Sequence, residues 1–563
     1  MDTVNLICSL LLLGLTVYFL LDAAQRRGSL AALAAGSGEE PPLSRPWRLA
    51  LWGLIGLFTL LRLYRFGSVP GGFNQDGAMA AVDALALAKH GTDRFGTWLP
   101  AHFTAWGYGQ MSVLLSYCMV PFFRLFGMNA VTARLPMLLW SFAGMAAAYG
   151  FLRRLLNRRA ALLGLLFLCI CPWHFMQSRW ALDCNVFPHA FLLGLALLYR
   201  GAEKPAALCG SMVFFALCMY SYGVAFLSVP LFLLLACILL LAQKRIRLGQ
   251  ALLCALIYFA ISFPIYGTML INAMGWETVK LPFVTMPYFP DSVRANDMIF
   301  YSAEPLRQLA VNAKALWNVG FLQGHDLPWN AIDGFGTVYR CSWPLLAFGL
   351  ILCLVRAFRD ADPRRRLGCA LLLLFWLCGL FTGLCVNSVN VNRLNLLFYA
   401  HVLFIVIALE ELLRFHRFTA LPLLACYLLC AGLFFHNYFG PWSEQIRDLF
   451  YEDFLTAVET AGERDFEKLI ITPDTQFTGS RQVSEILTLF ALDLDAEYYR
   501  GETDDPVPYR ERFSYRNLTA QDLVFPAPGS CWVLKTATLP PALPKGWVTE
   551  QFGDYSILYY TGG

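Results

Sequence analysis

Leu51-Trp52-Gly53-Leu54-Ile55-Gly56-Leu57-Phe58-Thr59-Leu60-Leu61-Arg62-Leu63, followed closely by Gly71-Gly72-Phe73-Asn74-Gln75-Asp76-Gly77-Ala78, decides how this chain is read. The first part is apolar enough for a bilayer, and the second holds a carboxylate just beyond it. Ionisable groups at membrane depth are costly and mark function. A second acid closes another apolar run in Ser178-Arg179-Trp180-Ala181-Leu182-Asp183.

Composition agrees. Hydrophobic residues make up 58% of the 563 and charged residues only 15%, beyond what a soluble globular chain shows. The net charge of +4 is scattered over short loops, which argues against nucleic acid as a partner. Nearly all of the 17 cysteines fall in apolar runs, where a thiol behaves as a small hydrophobe, and Cys531 stands alone in the polar tail; no disulfide framework is expected. The run 3–22 lacks a basic region before it and has Arg26 and Arg27 after it, so a retained span is expected rather than a signal peptide.

A bilayer needs roughly 17–25 apolar residues per helix, and about twelve candidates, some short, are found. They are 3–22, 47–66, 131–152, 160–177, 185–200, 206–221, 223–242, 249–268, 341–357, 367–386, 394–413 and 418–438. Basic clusters such as Arg153, Arg154, Arg158 and Arg159, or Arg364, Arg365 and Arg366, occupy alternate loops, which are thereby cytoplasmic. The loops 67–130, 178–184, 269–340 and 387–393, with everything from about 440 onward, then face outward, so Asp76 and Asp183 share one side.

The first outer loop, 67–130, contains the helical stretch Ala78–His90 and the apolar stretch Tyr108–Phe126, both expected to lie along the membrane surface. The second large loop, 269–340, is broken by prolines and has the length of a cover over a site. The tail alternates helical and strand-like segments: Ser443–Arg464 and Arg481–Leu492 helical, Lys468–Thr472 and Ser530–Lys535 extended, Trp547–Gln551 and Tyr555–Tyr560 a hairpin. The expected architecture is an all-α polytopic membrane domain over 1–440 with interfacial helices, followed by a small extracytoplasmic α/β domain over 441–563.

The order of motifs resembles the polyprenyl-phosphate-sugar-dependent glycosyltransferases of the GT-C type, such as protein O-mannosyltransferases and aminoarabinose transferases. Over residues 45–440 the resemblance rests on five features. Asp76 follows a span, Arg134-Leu135-Pro136 opens another, Arg153 to Arg159 forms a basic turn, Arg179 to Asp183 follows the next run, and Asn390-Val391-Asn392-Arg393-Leu394-Asn395 precedes a late span. In these families the first acid is often followed by Glu, whereas here Gly77 follows. The resemblance implies an integral cell-membrane enzyme that needs no metal in many cases.

Sugar transfer from a lipid phosphate needs a base at the acceptor hydroxyl and a cation at the departing phosphate. Asp76 and Asp183 are the catalytic candidates. Arg393, Arg179, Lys280, Asn392 and Arg294 are the substrate-binding candidates, Arg393 first among them for the phosphate. Helix capping is the rival role for Asp76, and an ion pair with Arg179 the rival for Asp183. No metal site is indicated; Asp360-Ala361-Asp362 and Asp493-Leu494-Asp495 match an Asp-x-Asp pattern but read as solvated loops. The expected partners are a polyprenyl-phosphate-linked sugar, an acceptor glycan, lipid or protein, and membrane lipids. A single base favours inversion. The alternative class is a transporter or flippase for lipid-linked sugars, which should carry its charges at mid-membrane in two matching halves.

Overall fold

The computed structural model describes residues 1–27, 44–105, 108–293, 298–324, 326–415, 417–464, 466–473, 481–500 and 509–562. Arg294 lies outside the described residues.

A helix forms at each of the expected span positions. Among the described residues nine helices are long and apolar enough to cross a membrane: Asp2–Gln25, Arg45–Leu63, Ala130–Leu155, Ala225–Ala242, Leu248–Met274, Arg340–Arg359, Pro363–Cys385, Val391–Arg414 and Ala420–Phe439. The other three fall short for different reasons. The expected span 160–177 is two helices, Arg158–Ile170 and Pro172–Gln177, because Pro172 has no N–H to give and disfavours helical backbone at Cys171 before it. Pro205–Cys218 has 14 residues, which rise only about 21 Å. Asp183–Gly201 is long enough, but Asn185, Pro188, His189 and Arg200 dilute its apolar residues. Val391–Arg414 is the central post, with 94% of its apolar stretch buried.

The two large loops pack on each other. Ala101 N–H donates to Thr285 O at 2.8 Å and Thr285 N–H to Leu99 O at 3.0 Å. Strand Tyr108–Met111 pairs antiparallel with Phe103–Ala105 and parallel with Ser292–Val293. The apolar stretch expected to lie flat is therefore a strand followed by the helix Leu114–Phe126.

The tail forms a five-stranded sheet in the order Phe513–Tyr515, Lys468–Ile471, Ser530–Lys535, Tyr555–Tyr560, Trp547–Phe552. The last two make the expected hairpin, and Lys468–Ile471 pairs parallel with both of its neighbours. Cys531 is buried in the central strand. The helix Arg481–Ala491 lies against the helix Gln75–His90, and one apolar cluster runs from Ala78, Val82 and Leu85 into Phe454, Val458, Ile486 and Leu487. Phe73 stacks on Phe490 with centroids 4.3 Å apart.

Polar contacts pin the same seam. Lys89 Nζ lies 2.8 Å from Asp495, and His90 Nε2 lies 3.4 Å from it. Asp495 is thus a buried docking residue and not a solvated one; Asp360, 3.3 Å from Arg365, is buried too. Although burial pushes the Asp495 carboxyl up, the Glu497 N–H and the Lys89 ammonium outweigh it and hold it below the usual carboxylate range. A carboxyl depressed in the folded state stabilises fully above its unfolded value of about 4, and that contribution disappears as pH falls through the folded value. Acid titration of the detergent-solubilised protein should therefore lower its melting temperature below about pH 4, and Asp495→Asn should flatten part of that fall.

Candidate functional site

The connection from Leu63 to Gln75 leads into Asp76, and two buried arginines shape it. Arg134 donates to the carbonyls of Gly67 at 2.7 Å, Pro70 at 3.0 Å and Gly72 at 2.6 Å. Arg179 donates to Tyr438 Oη at 3.1 Å, to the carbonyls of Tyr64 at 2.9 Å and of Arg65 and Val69 at 3.0 Å, and to that of Arg62. The four carbonyls belong to the C-terminal end of Arg45–Leu63 and the turn after it, where helix carbonyls lack partners and the dipole end attracts a cation. Arg179 was expected to bind substrate, or to pair with Asp183. Its guanidinium is turned to the backbone instead, because the exit of that helix offers more acceptors than one carboxylate.

Asp76 sits in the first turn of Gln75–His90, but the cap is Asn74, whose Oδ1 accepts the Asp76 N–H at 3.0 Å. The capping role considered for Asp76 therefore belongs to its neighbour. Asp183 likewise opens the first turn of Asp183–Gly201 and accepts the Cys184 N–H at 2.7 Å. Both carboxylates are half-buried. Each stands at a helix N-terminus, where the dipole favours negative charge.

Two backbone contacts join these segments to a third. A Cβ on Gly77 would lie 2.7 Å from Ala181 O, so the chain beside Asp76 touches the chain leading to Asp183. Asn395 Nδ2 donates to Cys184 O at 3.1 Å while its Oδ1 accepts Trp173 Nε1–H at 2.9 Å, which ties the segment of Arg393 to the same place. Arg393 itself is half-buried, donates to Ser388 O and Oγ at 2.9 Å each and contacts Asn387. Asn392, also expected to meet substrate, accepts from Asn330 Nδ2 at 2.6 Å and so links this loop to the 269–340 loop. Lys280 is elsewhere: it lines a 560 Å³ pocket between Phe95–Thr97, Thr104 and Gly109 on one side and Thr278–Asp291 on the other, to which none of the three segments contributes.

The acid Asp83, two turns along the same helical face from Asp76, is fully buried against Arg94 at 2.5 Å, and Arg94 also donates to Thr104 O at 2.7 Å. This pair holds the 67–130 loop in shape. Below the site a polar chain runs inward. Arg62 Nη1 lies 3.0 Å from His174 Nδ1, His174 Nε2 3.1 Å from Tyr399 Oη, and that hydroxyl 2.7 Å from His189 Nδ1. Sequence reasoning missed it, since lone histidines in apolar runs carry no spacing signal. Among the described residues two groups have donor atoms close enough for one metal ion, Cys8 with Cys426 and Cys430, and His90 with Asp495 and Glu497. Neither includes Asp76 or Asp183, and in the second the Lys89 ammonium already serves as the cation.

Residues 110–266 match the family model of dolichyl-phosphate-mannose-protein mannosyltransferase. No curated protein matches. Among solved structures, ArnT from Cupriavidus metallidurans bound to undecaprenyl phosphate aligns with 12% identity over 92% of this chain and 98% of that one, at a TM-score of 0.52. The oligosaccharyltransferase AglB from Archaeoglobus fulgidus, in complex with an inhibitory peptide and a dolichol-phosphate, aligns with 13% identity over 79% of this chain and 64% of its own, at 0.46. The arabinofuranosyltransferase AftD from Mycobacteria aligns with 13% identity over 94% of this chain and 41% of its own, at 0.38. The chain has the ArnT-like GT-C fold, a polytopic helical membrane domain with a small sheet domain at its C-terminus, as its motif order led one to expect.

Gly77→Ala should be poorly tolerated. The added methyl has to push Ala181 O away, an overpacking cost of about 1–3 kcal/mol, read as a lower melting temperature in detergent. A melt unchanged from the parent protein would show that these segments are not in tight contact.

Proposed function

We propose that this chain is a membrane glycosyltransferase that moves a sugar from a polyprenyl-phosphate carrier to an acceptor hydroxyl at the outer face of the cytoplasmic membrane. What supports the reading is the meeting of the Asp76, Asp183 and Arg393 segments, through Gly77 on Ala181 and Asn395 on Cys184, in a fold shared with a protein solved with undecaprenyl phosphate.

In this reaction Asp76 accepts the proton of the acceptor hydroxyl as its oxygen attacks the anomeric carbon. The bond from that carbon to the phosphate oxygen breaks, and the phosphate leaves with the electron pair. Arg393 receives the charge that gathers there, a task for which a planar guanidinium with paired donors is suited. Asp183, the second carboxylate, stabilises positive character on the sugar ring, whose transition state resembles an oxocarbenium ion. Direct attack with one base inverts the anomeric centre. No step here requires a metal, because the leaving group is a monophosphate that an arginine can neutralise. The acceptor, whether glycan, lipid or protein, approaches from the side that the tail domain covers.

Purified protein given a radiolabelled polyprenyl-phosphate sugar and a membrane extract as acceptor should release polyprenyl phosphate. Asp76→Asn should cut that release by about 10²-fold or more, the usual worth of a general base, while donor binding persists. Full turnover in Asp76→Asn would refute the base assignment. Movement of intact labelled lipid across a vesicle membrane without release would favour the transporter.

A further inference from the structure

The segment around Asp183 holds buried side-chain atoms that lack hydrogen-bond partners. Gln177, Trp180 and Asn185 are 2%, 2% and 1% exposed. Both amide atoms of Gln177, the indole Nε1 of Trp180 and Nδ2 of Asn185 make no hydrogen bond, and Oε1 of Gln75, beside Asp76, is in the same condition. The large majority of buried side-chain polar atoms in proteins are paired, and each exception needs a reason. Gln75, Gln177, Trp180 and Asn185 each lie within about six residues of Asp76 or Asp183, on the segments that touch through Gly77 and Ala181.

Their chemistry is mixed. Gln177 offers donors and an acceptor, Asn185 and Trp180 donors, and Gln75 an acceptor. A phosphate takes donors and cations only, and a lipid chain takes neither. Neighbouring hydroxyls that each donate and accept need both kinds together, and the flat indole of Trp180 adds an apolar face for a ring. We infer that Gln75, Gln177, Trp180 and Asn185 form the subsite that grips the glycosyl unit of the donor, an inference that rests on the glycosyl-transfer reading above.

The orphaned atoms are sealed from water. Phe450 packs on Trp180: its ring lies 5.4 Å from the indole, and its carbonyl accepts the Phe73 N–H at 2.6 Å. A sugar entering the subsite displaces this contact and replaces the unmade hydrogen bonds with made ones. The ligand-free site is thereby biased toward accepting a polyhydroxylated guest.

The test compares polyprenyl phosphate with a panel of polyprenyl-phosphate hexoses and pentoses, binding followed by tryptophan fluorescence of the full-length protein in detergent. The parent protein should prefer at least one glycosylated lipid over bare polyprenyl phosphate. Gln177→Met and Asn185→Leu should each reduce that preference about five- to tenfold, the worth of a neutral hydrogen bond, and leave binding of bare polyprenyl phosphate unchanged. Their melting temperatures should hold or rise, because replacing an unsatisfied buried polar group by an apolar one of similar shape removes a cost. Variants that keep the full preference, or that melt lower with the preference intact, overturn the subsite and leave the transfer reading standing. A parent protein that binds every glycosylated lipid no better than the bare phosphate overturns both.

Discussion

Everything at the candidate site hangs on two buried guanidinium groups holding backbone carbonyls. Removing an arginine from water is expensive, and the expense is offset only when most of its donors are met. Arg134 meets three carbonyls between Gly67 and Gly72, and Arg179 meets four between Arg62 and Val69 as well as Tyr438. Hydrogen bonds to a charged donor contribute about 1.5–3 kcal/mol each, so the clamp is strong enough to fix a turn that has no regular structure of its own. Asp76 takes its position from that turn, and Asp183 from the helix that starts four residues after Arg179.

The same economy explains the tail. Helix Gln75–His90 has buried residues on nearly every side from Gly77 to Leu87, which a helix lying on a membrane surface would not have. Part of its cover comes from Leu114–Phe126, and part from the helix Arg481–Ala491 of the tail. The tail is accordingly a wall of the site. Glu452 and Phe450 press so close to Gly71 and Gly72 that a side chain at either glycine would collide with them.

Hydropathy made the helical positions legible, because a bilayer demands long apolar runs and the runs are plain. Their lengths were less so, since Pro172 divides a run that composition alone reads as continuous. Asp76 and Asp183 stood out because they are acids at the ends of apolar runs, on the side opposite the basic loops. The work of Arg134 and Arg179 was hidden, because their partners are backbone atoms, which leave no trace in side-chain identity. Gly77 read as a departure from the family pattern; the close approach of Ala181 O gives it a steric cause. Asp495 looked solvated, as any Asp-x-Asp in a polar tail does, until the fold brought Lys89 and His90 across some four hundred residues to meet it.

That distance has a consequence for how the protein matures. The helix Gln75–His90 is synthesised early, with an apolar face whose permanent neighbours, Phe454, Ile486 and Leu487, are encoded near the other end of the message. At translation speeds of about 5–20 residues per second the face waits tens of seconds for them, a long exposure for a surface prone to aggregation. Ribosomes that stop short of the tail therefore yield chains in which this face of Gln75–His90 lacks the cover of Phe454, Ile486 and Leu487.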